Sequence, residues 1–395
     1  MKVAIIGGGL GGLSAALALH GKGFDVEVYE QAAELGEVGA GVQLTPNGSR
    51  ALLSLDLEEE LLNVGTETTG KTIYLWDTAE TRDFMRLGEE NQYGAPYLTF
   101  HRADLLGLLK EALEKRKPGA VYLNKCFKSQ TQVDDTVNVE FEDGTRISAD
   151  LVIGADGIHS AVRRSLFGQD QAEFTGCMAW RGLVPADAID EDIDLKGGSM
   201  WLGPKAHIVT YPVRKGKLLN FIAMVDRDDW TVEGWNQKGT TEEAMQDFVG
   251  WHKNVHLMVE NIETPYKWAL IVRQPLADWS KGRVTLLGDA CHSTLPFLSQ
   301  GANMSFEDGV VLARALSAFL DAPEKALRIY EEARKERTKA IVELSAKQLK
   351  RVHNPNLQER DQGMEHIDRE YESGRVDTRY RWIYGYDAVT TELSE

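Results

Sequence analysis

The rhythm of hydrophobic positions changes along this chain, and the changes mark its elements. Lys2 to Ile6 is a short apolar run that predicts a buried strand. Gly7 to Gly12 forms a glycine turn, Leu13 to His20 is an Ala/Leu helix, and Gly23 stops it. Asp25 to Glu30 alternates polar and apolar, as a half-buried strand does. Strand, turn, helix and strand in this order predict a βαβ unit with a parallel strand pair. Glu34 to Asn47 is glycine-rich and predicts a loop. The segment His101-Arg102-Ala103-Asp104-Leu105 opens a helical pattern. Val137 to Phe141 and Arg146 to Ile153 alternate and meet at Asp143-Gly144, a hairpin turn. Between Phe174 and Leu270, short strand-like runs rich in aromatics predict an antiparallel sheet. Arg283 to Leu287 returns to a buried strand, and a long helix is expected from about Met304 to Leu320. Past residue 345 the chain is charged and its periodicity weak. The expected fold is α/β: a Rossmann-like dinucleotide-binding domain in three pieces (1–72, 98–173 and 271–345), interrupted by an antiparallel-sheet substrate domain (73–97 and 174–270). A C-terminal region (346–395), expected to be helical, completes the chain.

Charge and cysteine content narrow the partners. The 395 residues carry 44 Lys and Arg against 61 Asp and Glu, a formal net charge of −17. That balance disfavours nucleic acid and anionic membranes, which need clustered cations. It does not disfavour a small anionic substrate held by one local cation or helix N-terminus. Cys126, Cys177 and Cys291 are far apart and odd in number, so neither a disulfide framework nor a metal site is expected. His252 and His256 have a ligand-like spacing, but Lys253 stands where a metalloprotease needs an acid. Apolar runs fall short of membrane-spanning length, and the VAII run is too short for a secretory signal. The expectation is a cytoplasmic protein, monomer or homodimer.

The glycine turn carries the first functional signal. Gly7-Gly8-Gly9-Leu10-Gly11-Gly12 fits G-x-G-x-x-G between a strand and a helix. Gly7 would make the tight turn, Gly9 would let the backbone approach a pyrophosphate, and Gly12 would let helix and strand pack closely. Glu30, ending the second strand, is placed to accept hydrogen bonds from an adenosine ribose. Its charge would repel a 2′-phosphate there. The fingerprint alone does not separate NAD from FAD.

Two further segments resemble those of the FAD-dependent aromatic hydroxylases, and both stand in family order. Leu151-Val-Ile-Gly-Ala-Asp-Gly-Ile-His-Ser-Ala-Val-Arg163 resembles the family's DG motif, and Leu287-Gly-Asp-Ala-Cys-His292 its GD motif; the HRADL segment also looks like the family's. The resemblance spans residues 1 to about 320. It implies FAD as the bound cofactor, NADH or NADPH as a transient co-substrate, and O2. On it, Arg102 would pair with the pyrophosphate, Asp156 would lie near the phosphates and the nicotinamide route, and Asp289 would accept a bond from a ribityl hydroxyl. Gly301, Ala302 and Asn303 would open a helix whose positive end faces the flavin pyrimidine.

Within that family the chain is most similar to the group containing salicylate hydroxylase, 3-hydroxybenzoate 6-hydroxylase and 6-hydroxynicotinate 3-monooxygenase. The resemblance implies hydroxylation of a small hydroxylated aromatic acid through a flavin C4a-hydroperoxide, with or without loss of CO2. Ala206-His207-Ile-Val-Thr-Tyr211-Pro212 looks like the group's substrate strand. Residues four apart share a strand face, so His207 and Tyr211 can both point into one cavity; the resemblance implies that they bind the substrate's ring hydroxyl and help deprotonate it. Gln43, Pro296 and Phe297 would complete the pocket. At Phe297 the salicylate and hydroxynicotinate enzymes have a His and the hydroxybenzoate enzyme a Tyr, so the substrate stays open between a benzoate and a nicotinate. A flavin oxidase or reductase without hydroxylation, or a non-catalytic binder, would share the scaffold.

Overall fold

The computed structural model describes residues 1–36, 40–87, 93–169, 172–189, 196–227 and 237–393. Part of the expected glycine-rich loop, residues 37–39, lies outside them. A six-stranded sheet is built around Lys2–Ile6, which pairs in parallel with Asp25–Tyr29 on one side and Leu151–Gly154 on the other. Leu151–Gly154 in turn pairs in parallel with Val284–Leu286. The expected βαβ unit is therefore present, with Leu10–Gly21 as its helix. The central strands Lys2–Ile6 and Leu151–Gly154 are almost wholly apolar because they are covered on both faces, and Val3, Ala4 and Ile5 are fully buried.

The second large sheet has eight strands in the order 237–238, 266–273, 172–185, 218–226, 206–213, 198–203, 70–75 and 81–86. Its pairs are antiparallel except for Gly198–Gly203 beside Gly70–Leu75. Aromatic residues fill its core; Trp180, Trp201 and Phe221 are fully buried.

Three expectations need correction. Arg146 to Ile153 is not one strand: Arg146–Ala149 stays in the hairpin sheet and Leu151–Gly154 joins the parallel sheet. Asp150 makes the switch, its carboxylate accepting from the Lys2 amide at 2.6 Å. The glycine-rich segment is not a loop throughout. It holds a strand, Gly41–Leu44, and a helix, Pro46–Leu53, started by proline at its first position. The helix expected from Met304 begins at Gly301 and runs to Ala318. The C-terminal region is helical, as expected: Pro323–Val352 passes through residue 345, and Arg360–Glu370 and Ser373–Tyr384 follow. Those last helices bury Tyr371, Tyr380, Ile383 and Tyr384 against Ile73, Leu75 and Phe84 of the eight-stranded sheet. Their apolar face is largely tyrosine among charges, which hides the helical period. Among the described residues no helix is long and apolar enough to cross a membrane.

Candidate active site

The glycine turn and the Gly301–Ala318 helix meet. A side chain on Gly11 would touch Ser305, and one on Gly309 would touch the Ala15 backbone at 3.0 Å, so the two helices cross at backbone distance. At the turn, Gly7 has φ +109°, and Gly12 lies so close to the Gly7 carbonyl that a Cβ would stand 2.0 Å from its oxygen. Gly9 is the opposite case: a Cβ there meets nothing within 4 Å. Space in front of Gly9, at the positive end of the Leu10–Gly21 helix, is the cradle a pyrophosphate requires.

Around this cradle stand the acids and the cation expected from the sequence. Glu30 accepts from the Gly8 amide at 2.6 Å and the Ala32 amide at 2.8 Å, so it braces the turn itself. Asp156 begins beside Gly7 and is used as a helix cap, accepting from the Ser160 hydroxyl at 2.5 Å and the Ala161 amide at 2.7 Å. Asp289 sits within 3.8 Å of where a Gly301 side chain would be. It is reached by water yet ringed by protein on its other sides, and that burial pushes its carboxyl up, against the opposing pull of His292 and Arg102. The Arg102 charge also acts on the Tyr211 phenol, pulling it down against the larger upward push of burial. These features fit FAD: a cradle for phosphates, and Asp289 beside a helix N-terminus where a ribityl chain and pyrimidine ring would lie.

The second cluster lies beyond that helix N-terminus. His207 and Tyr211 do share one face of Ala206–Val213, the next-but-one position pattern of a strand. The His207 ring is 5.5 Å from Phe297, which sits with Pro296 in a short 3-10 turn, Pro296–Leu298, just before Gly301. Tyr211 packs against the Gly41 backbone, and Asn220, opposite it in the sheet, accepts from the Gly41 amide at 2.6 Å. The Nδ2 of Asn220 is buried with no partner, a donor left for a ligand. Gln43 lies close enough to Tyr211 to hydrogen-bond it. Gln43 Oε1 also accepts from the Tyr97 hydroxyl and from Lys71 Nζ, the latter at 3.2 Å.

Asn303 stands in the first turn of the Gly301–Ala318 helix, and its side chain has a task of its own. Its Nδ2 donates to the Gln43 carbonyl at 2.9 Å and its Oδ1 accepts from the Thr45 amide at 3.0 Å, so its side chain ties strand Gly41–Leu44 to the helix. What it leaves for a cofactor is backbone. Behind it, Glu307 and Asp308 are fully buried between Arg334, Arg337 and His292. This explains Cys291-His292 structurally: His292 bonds Asp308 at 2.6 Å and the Cys291 thiol donates to the Gly288 carbonyl. His252 and His256 are also spent locally, on the Asn254 amide and the Phe248 carbonyl.

Burial sets the protonation of the second cluster. It pulls the His207 imidazole well down and pushes the Tyr211 and Tyr97 phenols up. Burial also brings the Lys71 ammonium down to about 7. The cluster thus holds a neutral imidazole, two phenol donors and one titratable cation. Sequence reasoning missed Lys71 and Tyr97. Both come from segments without a motif, and only the sheet order brings them beside Gln43.

The model of the FAD binding domain family matches residues 1–345. The 3-amino-4-hydroxybenzoate 2-monooxygenase PtnB3 of Streptomyces platensis is 37% identical over 393 residues, covering 98% of this chain and 96% of that protein. The 3-hydroxybenzoate 6-hydroxylase of Polaromonas naphthalenivorans (strain CJ2) is 34% identical over 405 residues, covering 98% and 96%. Among solved structures, Klebsiella pneumoniae HpxO complexed with FAD and uric acid superposes with a TM-score of 0.83 at 27% identity, over 96% of each chain. The chain belongs to the FAD binding domain family, among its aromatic-ring hydroxylases.

Proposed function

We propose that this protein is an FAD-dependent monooxygenase that uses NADH or NADPH and O2 to hydroxylate a small aromatic acid bearing a ring hydroxyl, a benzoate or a nicotinate. One observation carries the reading: His207, Tyr211, Gln43 and Phe297 converge beside the start of the Gly301–Ala318 helix, next to a cradle that fits FAD. The named substrates of the relatives, an aminohydroxybenzoate and a hydroxybenzoate, support the class.

FAD, when bound, supplies the electrons and the activation of oxygen; the chain supplies the rest. Gly9 and the helix N-terminus hold the phosphates, Arg102 neutralises charge beside them, and the start of the second long helix favours a negative flavin ring. Pro296 and Phe297 keep water from the reacting face. His207, held neutral by burial, accepts the ring-hydroxyl proton through Nε2 and makes the ring electron-rich. Tyr211 and Gln43 hold that oxygen in place. Lys71 stands across the pocket, over the Tyr97 ring at 4.7 Å, where it anchors the substrate carboxylate. In this reading residues 1–72, 98–173 and 271–345 hold the cofactor, and 73–97 with 174–270 form the substrate side.

The test is a panel of aromatic acids, 3-amino-4-hydroxybenzoate first, scored for stimulated NADH and NADPH oxidation with product identification. One acid that raises the rate and returns with an added hydroxyl supports the proposal. Stoichiometric H2O2 with every acid would make the protein an oxidase.

A further inference from the structure

The face of His207 turned away from the pocket is not idle. Its Nδ1 lies 2.7 Å from His353 Nε2, and His353 Nδ1 lies 2.6 Å from Asp226 Oδ1. Three separate segments supply the row. His207 is on an interior strand, Asp226 ends the neighbouring strand Leu218–Asp226, and His353 caps the C-terminus of Pro323–Val352. Exposure rises in order along it: His207 is 1% exposed, the His353 side chain 3% and the Asp226 side chain 39%. The row runs from a sealed pocket to water.

Neighbouring groups leave this path undisturbed. Cys177 lies beside His353 and Asp226, and burial pushes its thiol up, so it stays protonated and uncharged. Arg351, two residues before His353, is paired with Glu370; Arg227, after Asp226, is paired with Asp247; His366 bonds the Arg351 carbonyl. Met224 opposite His207, and Phe297, Leu295 and Leu349 nearby, are apolar.

We propose that His207, His353 and Asp226 form a proton relay that carries the ring-hydroxyl proton of the substrate out of the buried pocket. This rests on the function proposed above and adds two residues to it. The substrate O–H bond breaks, its electron pair stays on the ring oxygen, and its proton goes to His207 Nε2. As it arrives, the proton on His207 Nδ1 passes to His353 Nε2, and the proton on His353 Nδ1 passes to Asp226 and then to water. One proton enters and one leaves, and each imidazole ends as its other tautomer. The row run backwards reprotonates the product oxygen and restores both tautomers. A relay is what this site needs. The burial that keeps His207 neutral also makes it a poor place to store a proton, so an imidazolium is avoided only if the proton moves on at once.

The test uses the FAD-loaded enzyme and the probe 3-amino-4-hydroxybenzoate or, if the panel shows it is better used, 3-hydroxybenzoate. Stopped-flow ultraviolet absorbance follows phenolate formation on binding, between about pH 6 and 9. His353→Gln should slow phenolate formation roughly tenfold or more and make its rate climb with pH, as hydroxide takes over. Asp226→Asn, at an exposed position, should slow it less. Added imidazole should restore His353→Ala, which a purely structural role would not allow. Phenolate formed by His353→Gln at the wild-type rate with the wild-type pH profile would overturn the relay alone. A wild-type enzyme that forms neither phenolate nor hydroxylated product from any acid would overturn the proposed function, and the relay with it.

Discussion

Two glycines three residues apart, Gly9 and Gly12, give the sharpest test of the cofactor cradle. At Gly12 an added methyl would stand 2.0 Å from the Gly7 carbonyl oxygen, against a backbone that cannot swing away. Ordinary contact lies more than an ångström further out, so strand and helix must separate. Overpacking of this kind costs about 3 kcal/mol, and at roughly 2 °C per kcal/mol for a large domain the midpoint should fall by about 6 °C. At Gly9 the same methyl meets no protein atom, and φ −73° with ψ −176° suits alanine. Gly9→Ala should therefore leave apo stability within about 1 kcal/mol. Its methyl does, however, fill the space left for the pyrophosphate. Losing one charge-assisted hydrogen bond there, about 1.5–3 kcal/mol, raises the FAD Kd roughly ten- to a hundredfold. Apo-protein melting by circular dichroism and FAD titration by flavin fluorescence separate the two effects. A Gly9→Ala protein that binds FAD like wild type would refute the cradle; an unstable Gly9→Ala apoprotein would refute the claim that its side is open.

Three further outcomes are expected. Arg334→Met strips a cation from buried Glu307 and Asp308 and should cost about 3–5 kcal/mol at neutral pH by thermal melting. Burial pushes both carboxyls up, and the facing Arg337, Arg334 and His292 more than reverse it, leaving both below their ordinary 4.5 and 3.8. The stability they contribute is thus present above those values and lost as pH falls below them. The difference between wild type and Arg334→Met should shrink at acid pH, and a constant difference would contradict the pairing. For Lys71, burial sets the titration at about 7, so the affinity for a ring carboxylate should fall as pH rises past that point. Lys71→Met should abolish both this pH dependence and the preference for the acid over its carboxyl-free analogue in equilibrium binding. His207→Ala should slow hydroxylation at least about a hundredfold and slow flavin reduction less; equal activity would remove His207 from the mechanism.

How much of this was legible beforehand depends on how local each signal is. The βαβ unit could be read because the glycine turn, its helix and Glu30 lie within one short stretch, where each residue constrains the next. The His207 and Tyr211 pair was visible because a strand's two-residue period fixes which side chains share a face. Lys71, Tyr97, Asp226 and His353 carry no such period. Lys71 reaches Gln43 only because Gly70–Leu75 pairs with Gly198–Gly203, a parallel contact between strands over a hundred residues apart. His353 reaches His207 only because Pro323–Val352 ends just there, next to the prolyl turn at Pro355–Gln358. The side-chain role of Asn303 was hidden for a related reason. Its position in the motif speaks only for the helix start, while its side chain is fully buried and tied to the distant Gly41–Leu44 strand.

The central claim is that oxygen activated beside the Gly301 helix enters the ring of an acid held by the His207 and Lys71 pocket. The direct measurement is turnover of the FAD-loaded protein with NADH, isotopically labelled O2 and the best acid of the panel, with the product weighed by mass spectrometry. Each molecule of product should carry one labelled oxygen atom. Unlabelled acid recovered intact, with all the label in H2O2, would contradict it.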